Sequence, residues 1–328
     1  MNIVSASTEG QFLSMIPALL GHTPTHSVIV IPFANGRTKG AMRIDLPDTA
    51  RIDAVARMAT GAMCKVEGAD AFAVAVYTDA PADAAIAERF THYATVCGLR
   101  LMGAFYVTGN AWGTIGSDTA PEPLPDTPAG LPAVEGDQHH GARLPDVDPA
   151  HRAAMLTAIV HTDPADLDYA RILDTAEDAA TSDTLTDEAR AILAVAMTRP
   201  ALRDVALVSW ATDRFTGDRA ADAQNGWENG AEYPQELAAI IWGDAPRPDS
   251  TRLTRALEVA RRIAATVPDD IKPGPLAVAA WLSWALGRST HADAYAVQAE
   301  NIDPKHGFAR IIRQFVQAGH TPDWAYRS

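Results

Sequence analysis

Two kinds of hydrophobic pattern divide the chain. Up to about residue 116, short apolar runs alternate with stretches of helical period. Residues 28–33 and 71–78 are continuous apolar runs bounded by turn residues, the pattern of strands covered on both faces. Residues 41–46 alternate instead, with Met42, Ile44 and Leu46 on one side and Ala41, Arg43 and Asp45 on the other. A further strand is predicted over 99–107, and a Gly109-Asn110 turn returns the chain through Trp112 to Ile115. Between the strands, residues 11–20 read as a helix closed by Gly21. Thr49 is placed to cap a second helix reaching Val66, with Val55, Ala59 and Ala62 in phase. Asp79 and Pro81 open a third, whose apolar face is Ala82, Ile86, Phe90, Tyr93 and Cys97. Asn35-Gly36 predicts a tight reversal. The alternation calls for an α/β unit with a mixed, largely parallel sheet flanked by helices, in which 41–46 pairs antiparallel with 28–33 and could stand as a parallel partner of 71–78.

Residues 117–147 break this pattern with Pro121, Pro123, Pro125, Pro128 and Pro132, and read as a linker or long surface loop that carries His139 and His140. From 148 onward only helical period remains, with segments led by Asp148, Asp163, Thr186, Pro200, Pro234, Ser250 and Asp303. Residues 276–286 are apolar nearly all round and predict a buried helix with Trp281 and Trp284 in the core. The segment 213–233, rich in Gly, Asp and Asn, reads as a loop or insertion. Gly287, Ala292, Ala299, Asp303 and Pro304 follow the spacing of one tetratricopeptide hairpin. The expected division is therefore an α/β domain over 1–116, a linker over 117–147 and an all-α, tetratricopeptide-like domain over 148–328.

Composition adjusts this picture in two respects. The net charge of −14 opposes phosphate backbones and anionic lipid, so nucleic acid and membrane surfaces are disfavoured partners. The two cysteines, Cys64 and Cys97, fall on helical faces and read as buried free thiols of a reducing compartment. With no signal-peptide pattern at the start and no span-length apolar stretch, a cytoplasmic protein is expected.

The segments IPALLGHTPTHSVIVI, MRIDLP (42–47), VYTD (76–79), Arg203-Asp204 and ARRIAATVPDDIKPGPLAVAAWLSWALG (260–287) occur here in order. Through them the chain resembles the family of domain of unknown function 4192, found in actinobacteria and some of their phages. The resemblance covers nearly the whole chain and implies no activity. Relatives commonly place two cysteines after the hairpin, where this chain has residues 119–123, TAPEP. Residues 215–242 depart from the family pattern.

Candidate chemistry sits at the carboxyl edge of the predicted sheet. Asp45 and Asp79 there could hold Mg²⁺ for work on a nucleotide or phosphate ester, with Arg43 and Tyr77 as substrate contacts and His22 or His26 as a general base. The plain alternative has Asp79 capping the next helix and Asp45 pairing with Arg43. Nucleophile elbow, HExxH, P-loop and GxGxxG motifs are absent from the sequence. Arg203-Asp204 and Arg261-Arg262 read as ion pairs that lock helices together. The balance favours a non-catalytic binding or adaptor protein, whose helical domain meets a protein partner and whose α/β domain binds a small regulatory ligand or serves as scaffold. The metal-dependent enzyme is the alternative.

Overall fold

Helix α1 (Glu9–Leu20) is set by its two ends. The Thr8 hydroxyl accepts the Gln11 N–H at 3.2 Å, and Gly21 closes the helix at φ 76°. In the computed structural model, which describes residues 4–80, 82–182 and 184–326, α1 begins the first of two compact units, which runs to Gly141. The second runs from Ala142.

Strand β1 (Ser27–Ala34) is buried at every position. Asn35 and Gly36 both take positive φ, which reverses the chain into β2 (Arg37–Thr38) and β3 (Met42–Asp45), both antiparallel to β1. Helix α2 (Ile52–Met63) follows a 3₁₀ turn capped by Asp48 rather than Thr49. Then come β4 (Ala71–Tyr77), α3 (Ala84–Cys97), β5 (Arg100–Thr108), β6 (Ala111–Thr114) and β7 (Glu122–Pro123). The strand order is β2-β1-β4-β5-β6-β7, with β3 also on β1.

The sheet is mixed but mostly antiparallel, which corrects the largely parallel sheet expected from the alternation. Among the seven named strands only β4 and β5 pair in parallel. The tight reversal after β1 brings β3 back along one edge of that strand, and β4 then takes the other edge in antiparallel register. So β3 and β4 are not partners; β1 lies between them, with Ser27 opposite Asp45 on one side and Tyr77 on the other. The period of a segment reports which faces are covered, not which strand lies beside it.

Ile29, Ile31, Phe33, Ala73 and Phe105 form one face with Leu13 and Ile16 of α1. The other face carries Val28, Val30, Val74 and Val76, all buried, on the side of α2 and α3, where Phe72 and Phe90 meet at 6.1 Å. Of the apolar positions expected on α3, Ile86 and Phe90 are buried together with Ala94. Cys97 is exposed, as is Cys64, which overturns their reading as buried thiols. Each stands at the C-terminal end of its helix, so helical phase alone does not bury it. The α3 cap is Asp83, not Asp79, while the expected opener Pro81 lies outside the described residues.

The proline-rich segment after β6 is held along the first unit. Leu124 N–H donates to the Asn110 carbonyl at 2.9 Å, and Thr127 Oγ1 donates to the Ser14 carbonyl at 3.0 Å. Gln138 is almost fully buried and exchanges hydrogen bonds with the Thr25 backbone at 2.9 and 3.0 Å. The backbone of His139 and His140 is capped by the Asp137 carboxylate.

In the second unit the regular elements among the described residues are helices: α4 (Pro149–His161), α5 (Tyr169–Thr181), α6 (Asp187–Met197), α7 (Pro200–Ala211), α8 (Arg214–Glu228), α9 (Gln235–Trp242), α10 (Ser250–Thr266), α11 (Pro273–Ala285), α12 (Ser289–Ile302) and α13 (Gly307–Gln317), joined by turns and short 3₁₀ segments. Helix α8 occupies the segment expected to be a loop. Its Gly217 is a packing residue: a Cβ there would stand 2.6 Å from Leu173 of α5 and 2.9 Å from Ser209 of α7. Asp213 caps the helix through the Thr216 N–H at 2.7 Å. At Gly217 a residue that reads as a helix breaker thus marks a close approach of helices. All thirteen residues of α11 are buried, including Trp281 and Trp284 as expected. Arg252 of α10 grips Glu177 of α5 through two hydrogen bonds, 2.8 and 2.7 Å. Arg203 pairs with its neighbour Asp204, and both Arg261 and Arg262 pair with Glu258. These three arginines therefore form ion pairs within a helix, whereas Arg252, like Arg214 with Asp174 and Arg313 with Glu300, ties one helix to another.

Candidate functional site

The sheet edge singled out by sequence is built around Ser27. Its hydroxyl donates to the Thr25 carbonyl at 2.7 Å and accepts Arg43 Nε at 2.8 Å. Arg43 Nη2 reaches Asp45 at 2.5 Å, with the arginine side chain 10% exposed and the carboxylate 80% exposed. Tyr77 lies beneath α1, its hydroxyl 3.3 Å from the Leu13 carbonyl, and burial raises its pKa. Asp79 pairs with His26 Nε2 at 3.0 Å on an exposed surface, and His26 holds a positive φ of 46°. His22 lies in the same turn with Nε2 buried and unbonded; desolvation first, and then the Arg43 charge, lower its pKa.

The edge therefore gathers every residue the sequence nominated but divides them into separate pairs. Asp45 belongs to Arg43, Asp79 belongs to His26, and β1 runs between the two carboxylates. Among the described residues no three His, Cys, Asp or Glu side chains converge as a metal would need.

A different cavity is more open to a ligand. In the helical unit a groove of about 390 Å³ is lined by α7, α8, α9 and α13. Leu237 and Ile241 of α9 with Phe308 and Phe315 of α13 supply apolar surface, while Tyr233 stands in the segment before α9. Phe315 is backed by Trp284 with ring centroids 5.1 Å apart. Trp227 and Trp242 stand on the rim, 57% and 49% exposed, and Ile311 is also exposed. Large apolar side chains grouped at the mouth of a concave surface are the usual mark of a binding site rather than of solvent-facing helix.

One charged pair enters the groove. The Arg203 guanidinium lies 4.0 Å over the Phe308 ring and donates to Asp204 at 2.8 Å. The arginine is largely buried, at 11% exposure, while the Asp204 side chain is 39% exposed, so the pair turns its negative end outward. Burial, and then the Asp204 charge, raise the Tyr233 pKa, which keeps its hydroxyl a neutral donor.

Sequence reasoning missed this site because its residues come from positions 200 to 315 and share no local motif. The available signal was compositional: Trp227, Tyr233 and Trp242 fall close together in one stretch of the chain.

His306 ends the groove's α13 side as its N-cap, with Nδ1 accepting the Ala309 N–H at 3.3 Å. Desolvation, then the nearby Arg203 charge, lower its pKa from 6.5. A histidine whose folded pKa is depressed adds stability that is present above its unfolded pKa and is lost as pH falls through the folded value. The urea midpoint should therefore drop as the pH falls from about 7.5 to below 6.5, and His306→Asn should flatten part of that slope. Asparagine retains the cap without the titration, so an unchanged slope would remove His306 from the account.

The family model Domain of unknown function (DUF4192) matches residues 10–323. No curated protein and no solved structure matches the chain.

Proposed function

We propose that this chain, which belongs to the DUF4192 family, is a non-catalytic binding protein that takes up a basic, amphipathic segment of a partner protein in the helical groove. The observation that carries this reading is the pair of rim tryptophans over an aromatic floor. Partially exposed Trp227 and Trp242 lose unfavourable hydration when an apolar side chain covers them, and aromatic anchors of this kind dominate interface energies. Charge sets the preference for a basic partner. The outward carboxylate of Asp204 and the aromatic faces both attract a cation, and the net charge of −14 favours its approach. The tetratricopeptide-like reading of the helical half agrees with this role, since stacked helical hairpins commonly present such grooves.

The test is a fluorescence-anisotropy titration of the full chain with labelled helical peptides carrying Leu or Phe on one face and Lys or Arg beside it. Trp227→Ala should weaken binding by about 10- to 30-fold, as expected for loss of ~1.4–2 kcal/mol at one aromatic anchor. Trp227 is more than half exposed, so the substitution leaves the core intact. Asp204→Asn should weaken binding less and reduce its salt dependence. Binding that is indifferent to Trp227→Ala, or equal for peptides with Glu in place of Lys, would exclude this reading.

A further inference from the structure

The two cysteines are the other grouping of reactive side chains on an accessible surface. They are the chain's whole complement, both are unpaired, and both are exposed. They come from different helices: Cys64 is the C-cap of α2 and Cys97 is the last residue of α3. The helices pack on one another. Asp53 near the start of α2 accepts the Tyr93 hydroxyl at 3.0 Å and faces Arg89 Nε at 3.6 Å, which fixes how α2 lies against α3. At the C-terminal ends of the two helices the Cys64 and Cys97 side chains are near enough to interact with one another. Two thiols that interact across a pair of packed helices are placed to be joined as a disulfide when their Cα atoms come within about 4.4–6.8 Å.

We propose that Cys64 and Cys97 form a reversible, peroxide-driven disulfide that ties the end of α2 to the end of α3. This is independent of the helical groove and of any partner bound there.

The roles of the two sulfurs follow from their surroundings. Desolvation, then the interaction with Cys97, push the Cys64 thiol up to about 11, so it is protonated at neutral pH and suits the second step rather than the first. The Cys97 sulfur attacks one oxygen of a hydroperoxide. The O–O bond breaks, the other oxygen leaves as water or alcohol with the Cys97 proton, and Cys97 becomes a sulfenic acid. The Cys64 sulfur then attacks the Cys97 sulfur. Its proton leaves with the sulfenic hydroxyl as a second water, and the S–S bond is made. Two thiols are oxidised and one peroxide is reduced. A small-molecule or protein dithiol returns the pair to its starting state by thiol–disulfide exchange.

The experiment treats dilute full-length protein with one equivalent of hydrogen peroxide and follows free thiols, intact mass and non-reducing peptide maps. Both thiols should disappear together, the monomer should lose the mass of two hydrogens, and a peptide joining Cys64 to Cys97 should appear and vanish with dithiothreitol. Cys64→Ser should abolish the mass loss and leave Cys97 as a sulfenic acid that dimedone traps, whereas Cys97→Ser should leave Cys64 largely unreacted over the same time. Both positions are exposed, and far-UV circular dichroism checks that the variants remain folded. Accumulation of sulfinic or sulfonic acid without the joined peptide, or a disulfide that forms only between two chains, would overturn the proposal.

Discussion

Trp284→Ala should lower the unfolding free energy by about 3–5 kcal/mol, the cost of emptying a large buried aromatic site. Trp284 is fully buried, and its ring meets Phe315, Trp281, Trp324 and His320 at centroid distances of 5.1, 6.5, 6.3 and 5.7 Å. Its indole N–H donates to the His320 carbonyl at 2.8 Å, which holds the segment after α13 against the bundle. Trp324 continues that attachment with an indole hydrogen bond of 3.0 Å to Ala285, and Arg247 donates to the Trp324 carbonyl at 2.7 Å. The alanine variant removes the central member of this cluster. Because Phe315 lines the groove, the same substitution should also weaken peptide binding. Trp284→Phe separates the two contributions: it keeps a ring but loses the donor and should cost only about 1–2 kcal/mol. Urea denaturation of both variants, read by far-UV circular dichroism, provides the measurement. A loss below about 1 kcal/mol for the alanine variant would mean that the site collapses around the deletion.

The second large effect has its origin in backbone contact. Gly274→Ala should destabilise by about 3 kcal/mol, at the upper end of the range for overpacking. A Cβ at this position would stand 2.7 Å from the Met197 carbonyl oxygen, 2.9 Å from its carbon and 3.1 Å from the Thr198 nitrogen. All three are main-chain atoms at the end of α6, so no rotamer change relieves the clash. Helix α11 would have to shift, and each of its residues is buried. Gly226→Ala is the control. The nearest atom to a new Cβ there is the Ala231 methyl at 3.6 Å, and the position is helical, so this variant should stabilise by about 0.5–1 kcal/mol. The same chemical change thus has opposite signs, set by what surrounds it. Equal effects at the two positions would refute the packing argument.

That contrast also explains why one helix could not be read from the sequence. Gly217, Asn225 and Gly226 lower intrinsic helix propensity in α8, and by propensity the segment is a loop. Packing reverses this, because Gly217 allows α8 to approach α5 and α7, where Leu173 and Ser209 leave no room for a side chain. Elements whose signals are local behaved differently. The runs that became β1 and β4, the Asn35-Gly36 reversal, the Gly21 cap and the all-apolar α11 were each legible because steric and solvation demands within a few residues are enough to specify them.

For the candidate sites the division is similar. The sequence located Arg43, Asp45, Tyr77, Asp79, His22 and His26 at one edge, and the strand ends do lie there. It could not reveal that Arg43 would be committed to Ser27 and Asp45, or Tyr77 to Leu13, since those partners depend on β1 entering between β3 and β4. The groove was less legible still, because its aromatic floor and rim are joined only when α7, α8, α9 and α13 pack.

What the sequence alone determined is therefore the identity of most elements, the change from mixed α/β to all-helical structure and the aromatic core of α11. These follow from hydrophobic period and turn chemistry, which act between near neighbours. Strand order, the exposure of Cys64 and Cys97, the helix in the glycine-rich segment and the groove at Trp227 were decided only by tertiary structure. Each depends on which surfaces meet across long sequence separations, and the free energy of that meeting is not written in any local pattern.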